Sequence, residues 1–368
     1  MTKYKDYQGN TVRYGYDELG NRISLTYPGG EIVRYEYDQS GLLTKVIDWN
    51  GDVTTYTRDE NGRIKTEAKP DGTTTTYQYD TLGQLTKQVA KKADKTTLYV
   101  QTYQYDLAGN VVKSQKQTGG KVNYDALTTI NMTYDSENRL ATYNGQEVTY
   151  DDNGNMIYGP LDGKMTTFTY DVRNRLISAG NQRYEYDAEN NRIATTTVQY
   201  QDVKETDNTV NKDKNSDTKE EAITLQGITT HYVYDTNQEL SQVLLEETEG
   251  ETEVTETKYL YGKGLIAEET KKKANKKRTT TYYIHHYDNI GSTIALTDKK
   301  GNTISLYEYG TYGELLAGDT SKTKYLYNVI IIIRGRFLRI EERPPLYRST
   351  QSLGTLLHIN EYPTTLYL

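Results

Sequence analysis

A chain of 368 residues that is only 35% hydrophobic is poor in apolar side chains for its length. Its formal net charge of −7 argues against a general nucleic-acid binder. With 37 Tyr against 2 Phe and 1 Trp, the apolar surface comes largely from an amphipathic ring whose hydroxyl needs a partner or water, so the expected body is a curved sheet with one wet face and no dense aliphatic core.

Along the chain a tetrad Tyr-x-Tyr-Asp followed by x-x-Gly recurs, as YGYDELGNRI from Tyr14, YEYDQSGLLT from Tyr35, YTRDENGRIK from Tyr56 and YQYDTLGQLT from Tyr77. Asp17, Asp38, Asp59 and Asp80 are spaced 21 residues apart, and a fixed period marks a repeat protein. Looser copies follow from Tyr103, Met132, Val148, Phe168, Tyr184 and Tyr232. Each unit reads as two strands. Alternating residues around Tyr14 and Tyr16, Tyr35 and Tyr37, Tyr77 and Tyr79, and Tyr103 and Tyr105 have a period of two. The Asp after them can accept from the backbone two residues on, and the glycine of each unit (Gly20, Gly41, Gly62, Gly83, Gly109) can take positive φ, which makes a turn. The same holds for Asp106 in the fifth unit. A second turn signal lies midway to the next tetrad: PGG at 28–30, WNG at 49–51 and PDG at 70–72. Two strands and two tight turns per unit predict a long antiparallel meander.

The domain reading follows these shifts. Residues 1–200 form a hairpin array, and 201–221 (QDVKETDNTVNKDKNSDTKEE) are a polar, disordered insertion. Residues 222–281 carry further hairpins with an acidic loop (EETEGETEVTET) and a basic run (TKKKANKKRT), read as a solvated hairpin tip beside its acidic neighbour. A module with Tyr287, Asp288 and Gly291 occupies 282–327. Residues 328–368 are out of character. Tyr codons read one base late give Ile codons, so the run Ile330 to Ile333 suggests a frameshifted tail, with no partner of matching pattern and with Pro344-Pro345 interrupting any strand.

No catalytic, cofactor or metal site emerges. His231, His285, His286 and His358 have no Cys to join them, and adjacent His285 and His286 in a strand point to opposite faces and cannot share a metal. G-x-S-x-G, H-E-x-x-H and Walker-type loops are absent, and the repeated Asp residues lack the ligand density of a calcium loop. Met1 to Gln8 holds no apolar run of signal-peptide length, and no stretch reaches the ~18 apolar residues of a membrane span. As written, the chain is expected to stay cytoplasmic.

The unit Y-x-Y-D-x-x-G-x-L with an intervening P-D-G or N-G turn resembles the YD repeats of Rhs proteins, bacterial polymorphic toxins, the C component of Tc toxins, wall-associated proteins and teneurins. The resemblance covers roughly residues 4–327, and YIHHYDNIGSTIALTDKKGNTISLYEYGTYGELL at 283–316 is similar to the opening of the Rhs-associated core. It implies an all-β repeat array of antiparallel hairpins spiralling into a partial hollow shell, a non-catalytic scaffold that encloses or presents a C-terminal toxin. Extracellular or wall-associated placement in the parent family is implied, and the absence of Cys is compatible with secretion by a Gram-positive organism. The expected partners are missing N-terminal repeats and a C-terminal toxin of a longer parent. Gly335-Arg336-Phe337 is similar to the family's self-cleavage segment, but no Asp follows it, so that chemistry does not carry over. The alternative is a binding module whose exposed Tyr rows stack on cell-wall or surface glycans.

Overall fold

The computed structural model describes residues 2–120, 131–161, 163–199, 226–238, 241–310, 315–327, 330–333 and 336–339. The insertion at 201–221 and the Pro344-Pro345 segment lie outside the described residues.

Every regular element described is a strand, and strands follow one another in sheet order as a meander should. Eleven strands, from Lys3–Lys5 to Val111–Thr118, form a first sheet; thirteen, from Thr149–Tyr150 to Thr303–Leu306, form a long one. A three-stranded sheet (Met132–Tyr134, Leu140–Tyr143, Gln146–Glu147) lies between them in sequence. These sheets remain open rather than closing into barrels.

The repeat turn shows why the motif reads as it does. In the second unit the Asp38 N–H donates to the Leu42 carbonyl at 3.0 Å and Gly41 N–H to the Asp38 carbonyl at 3.0 Å. Asp38 Oδ1 accepts from Ser40 N–H at 2.9 Å and Leu42 N–H at 3.0 Å. The register shifts there, between Glu36 and Tyr37, so that Tyr37 faces Leu43 across a bulge. The midway turn repeats this geometry: Asp48 N–H donates to the Asp52 carbonyl at 2.9 Å and its Oδ1 accepts from Asn50 N–H at 2.7 Å. The fourth turn residue sits at positive φ, 76° at Gly62, and where the sequence drops glycine an asparagine takes over, as Asn174 does at 58°.

The two tyrosines of each tetrad have different tasks. The first faces the core: Tyr14, Tyr35, Tyr56 and Tyr103 are buried. The second reaches back one hairpin and donates its hydroxyl to the carbonyl of that hairpin's bulge partner. Tyr37 donates to the Arg22 carbonyl at 3.0 Å, Tyr79 to Ile64 at 2.9 Å, Tyr105 to Leu85 at 2.7 Å, Tyr186 to Leu176 at 2.9 Å, Tyr234 to Arg192 at 2.6 Å and Tyr261 to Val243 at 3.0 Å. In the third unit, where Arg58 replaces that tyrosine, its Nη2 donates to the Leu43 carbonyl at 3.0 Å.

Two expectations need correction. The wet outer face holds for the first sheet, where Ile32–Tyr37 alternates between buried and exposed. It fails in the long sheet, where residues 242–246, 265–269 and 293–297 are buried without interruption. One face there packs on the first sheet, in a cluster that joins Val12, Leu25, Val33 and Val46 to Leu244, Leu260, Ile266 and Ile284, an aliphatic core that the composition argued against. The other face lies under Tyr307, Tyr325 and Leu326. The isoleucine run also has a partner, since Ile330–Ile333 pairs antiparallel with Arg336–Arg339, as β-branched residues favour.

Gly62→Val forces a β-branched side chain into the left-handed region and brings its Cβ against Leu42 Cδ1 at 3.4 Å, so it costs more than ~1 kcal/mol, read as a fall in denaturation midpoint. Tyr79→Phe removes the donor to a half-buried carbonyl without changing ring volume and costs about 1 kcal/mol by chemical denaturation; an unchanged midpoint would mean that the hydroxyl ladder carries no stability.

Candidate functional site

The midway turns of the first sheet dock on the long sheet, and polar side chains fasten them. Tyr27, Asp48 and Lys69 occupy the same place in successive repeats, and each makes a different bond across this seam. Tyr27 donates its hydroxyl to the Tyr259 carbonyl, Asp48 Oδ2 accepts from the Tyr282 hydroxyl at 2.8 Å, and the Lys69 ammonium donates to the His285 carbonyl. Around them Glu31 pairs with Lys258, Asn50 Nδ2 donates to Glu269 at 3.3 Å, and Lys299 pairs with Asp52 at 2.6 Å. Arg22, stacked 5.1 Å over the Tyr35 ring, pairs with fully buried Asp235. The only tryptophan, Trp49, packs edge-on against Tyr27 in the same seam, with ring centroids 5.2 Å apart.

The innermost group is Asp71 with His286 and Thr297. Burial works to raise the Asp71 pKa, but the His286 ring 3.5 Å away and the hydroxyls of Thr297 and Thr73 hold it well below the usual carboxylate range. Burial pushes His286 below its ordinary value, against the pull of Asp71, and its Nε2 lies 2.9 Å from Thr297 Oγ1. His285 projects to the opposite face, where it meets Glu268 at 3.4 Å and Thr293 at 3.3 Å. The neighbouring histidines therefore serve two separate packing layers. Among the described residues no three His, Asp or Glu side chains are placed to hold a metal.

The far face of the long sheet is covered by residues 315–327 through a second polar set. Lys324 pairs with buried Glu246, Thr323 Oγ1 donates to Glu268 at 3.0 Å, and the Tyr325 ring lies 4.8 Å from that of Tyr259.

The late module's motif residues Tyr287, Asp288 and Gly291 form a repeat turn that meets the end of the first sheet. Gln88 Nε2 and the Tyr99 hydroxyl both donate to the Tyr287 carbonyl, at 2.6 and 3.1 Å, and Tyr103 Oη accepts from Asn289 N–H at 3.2 Å. In exposed turns such as that of Asp17, the hydrogen bond from the Asn21 side chain and those from backbone N–H groups lower the carboxyl pKa. Asp288 goes the other way: loss of hydration pushes it up to about 6, against hydrogen bonds from Ser292 and Ile290 and the charge of Lys116. The motif residues of the first five units, Tyr14 to Gly109, line the turn edge and the inner face of the first sheet, and Tyr16, Gly20, Tyr35 and Tyr37 share a cleft with Arg22 and Asn237. Apart from Tyr35, Tyr103, Tyr287 and Asp288, the seam residues were not singled out by the motif. Their signal was the departure from the repeat at Tyr27, Asp48 and Lys69.

A family model described as RHS Repeat matches residues 1–32, 37–74 and 58–97, the units whose turns and hydroxyl ladder are described above. The stretches 1–32 and 37–97 are thus RHS repeats. No curated protein sequence matches this chain. Among solved structures, the Photorhabdus luminescens Tc holotoxin pore with a TccC3 mutation is 16% identical with a TM-score of 0.48, over 89% of this chain and 19% of that one. TcdB2-TccC3 is 16% identical with a TM-score of 0.47, over 87% and 19% of the two chains. A porin-like protein from Bacteroides uniformis is 12% identical with a TM-score of 0.17, over 74% and 86%. This chain thus spans about a fifth of the length of the Tc structures it matches.

Asp288 sets a pH dependence. Its folded pKa, about 6, lies above its ordinary value of 3.8, so its protonated form is favoured by folding; that contribution is full below about pH 3.8 and is lost as pH rises through 6. Asp288→Asn should therefore flatten the fall in stability between pH 4 and about 6.5, measured by urea denaturation across that range with Trp49 fluorescence; an unchanged slope would place the titration elsewhere.

Proposed function

We propose that this RHS-repeat chain is a length of shell wall: a non-catalytic scaffold that, in the polypeptide its gene encodes, encloses or presents a C-terminal toxin. The observation that carries this reading is the hydroxyl ladder, which ties successive hairpins of each long sheet to one another. The seam and the covering residues 315–327 pack that wall on both faces of the long sheet. No helix among the described residues is long and apolar enough to cross a membrane. The glycan-binding alternative needs exposed tyrosine rows, and among the described residues only Tyr7, Tyr134 and Tyr158 are exposed, on separate strands and turns. We also read residues 282–327 as the start of the closing core and place the parent protein outside the cell or on its wall.

The test is protease protection of the C-terminal polypeptide in the full gene product. Intact, it should resist trypsin, and Tyr79→Phe, Tyr105→Phe and Tyr261→Phe combined should expose it before the hairpins themselves are cut. A C-terminal polypeptide digested as fast as the same segment alone would remove the enclosing role.

A further inference from the structure

Strands Leu265–Ala274 and Lys277–Tyr287 are 10 and 11 residues long and pair with each other from Ala274 opposite Lys277 to Ala267 opposite Ile284. On its other side the second strand meets Thr293–Thr297 only at Ile284 to Tyr287. No described strand pairs with Lys277–Tyr283 on that side, so the hairpin projects from the long sheet with a bare edge. Asn275 and Lys276 at the tip have φ of 47° and 64°, the signature of a two-residue mirror-image turn. In such a hairpin the residues flanking the turn form a hydrogen-bonded pair, and bonding alternates from there. Lys277, Thr279 and Thr281 therefore bond inward, while the N–H groups of Arg278 and Thr280 face the open edge.

The side chains around this edge are charged and unmatched. Lys273, Lys276, Lys277 and Arg278 are exposed and form no ion pair among the described residues. One strand further in, the matching pattern is already present. Strand Glu253–Tyr261 places Glu256 directly opposite Lys271, and Glu253 pairs with Lys272 at 2.5 Å. An acidic strand lies against a basic one there, and the basic hairpin's outer edge repeats the basic half without its partner.

We propose that the edge Lys277–Thr281 is a docking site for an extended acidic segment of a separate polypeptide, which adds to the sheet as its next strand. The N–H groups of Arg278 and Thr280 donate to its carbonyls, and its carboxylates take up Lys277 and Arg278. Only another strand satisfies the alternating N–H and carbonyl groups of such an edge. The lysines that repel a basic edge, including a second copy of this one, select for an acidic one. A phosphate polymer has no alternating N–H and carbonyl groups to pair with this edge, which favours a peptide.

The probe is a fluorescein-labelled peptide of about nine residues in a Glu-Glu-Thr repeat, which carries carboxylates on both faces of the added strand, followed by anisotropy at low ionic strength. It should bind the full chain, and a Lys/Thr peptide should not. Lys277→Glu with Arg278→Glu should weaken binding at least tenfold. Thr280→Pro deletes an outward N–H while sparing the inner ladder, and should also weaken binding about tenfold, whereas Thr280→Val should leave it intact. Unchanged affinity in Thr280→Pro, or inorganic polyphosphate bound as tightly as the peptide, would overturn strand addition and leave charge attraction alone. If Thr280→Pro does not fold, hydrogen exchange in the unaltered chain decides: the peptide should slow exchange of the Arg278 and Thr280 amides about tenfold, and no slowing refutes the proposal.

Discussion

The structure depends on a hydrogen bond from a tyrosine hydroxyl to a carbonyl one hairpin back. At each repeat turn a bulge takes one residue out of the regular ladder, and the carbonyl of the bulge partner accepts from the next hairpin's tyrosine. A buried carbonyl without a partner costs about as much as a lost hydrogen bond. The second tyrosine of the tetrad therefore repairs a defect that the turn creates, and in doing so fixes the distance between hairpins. Arg58 shows that the requirement is for a donor of sufficient reach rather than for tyrosine as such.

From this ladder follows the division of labour between the two turns of each repeat. The Asp-x-x-Gly turns beside the tetrads are occupied with the ladder and vary little. The midway turns are free of it, and their leading residues, Tyr27, Asp48 and Lys69, are each shaped for one place on the long sheet. A repeat array has many equivalent registers, and identical turns could dock in any of them. Unlike residues at equivalent positions leave one register in which the buried charges are paired, and an unpaired buried charge is expensive enough to exclude the others.

Asp288 shows the same motif under a different load. Its turn is that of Asp17, but it is pressed against Tyr103 and the end of the first sheet, so loss of hydration outweighs the backbone donors. The array and the later module meet there through repeat chemistry, not through a separate linker. Among the described sheets the long one alone combines an aliphatic interior with cover on both faces, and its strands carry the apolar runs VLL at 243–245, LI at 265–266 and IAL at 294–296.

The hairpins, their turns, the meander order and the need for a hydroxyl partner were legible in the residues, because each is set by neighbours within about one repeat of Tyr-x-Tyr-Asp and its glycine. The absence of a shared site for His285 and His286 was legible for the same reason, since strand alternation alone separates them. The dry second face, the cover by residues 315–327 and the seam were not. Asp48 and Tyr282 lie 234 positions apart, and Asp71 and Thr297 226 apart. No periodicity relates residues so distant, and the composition that suggested a wet face averages a wet sheet with a dry one. Local sequence determined what each hairpin is; only the folding of one sheet onto another decided which charges are buried, which tyrosines meet and which edge is left bare, because those outcomes depend on surfaces that come together after the hairpins exist.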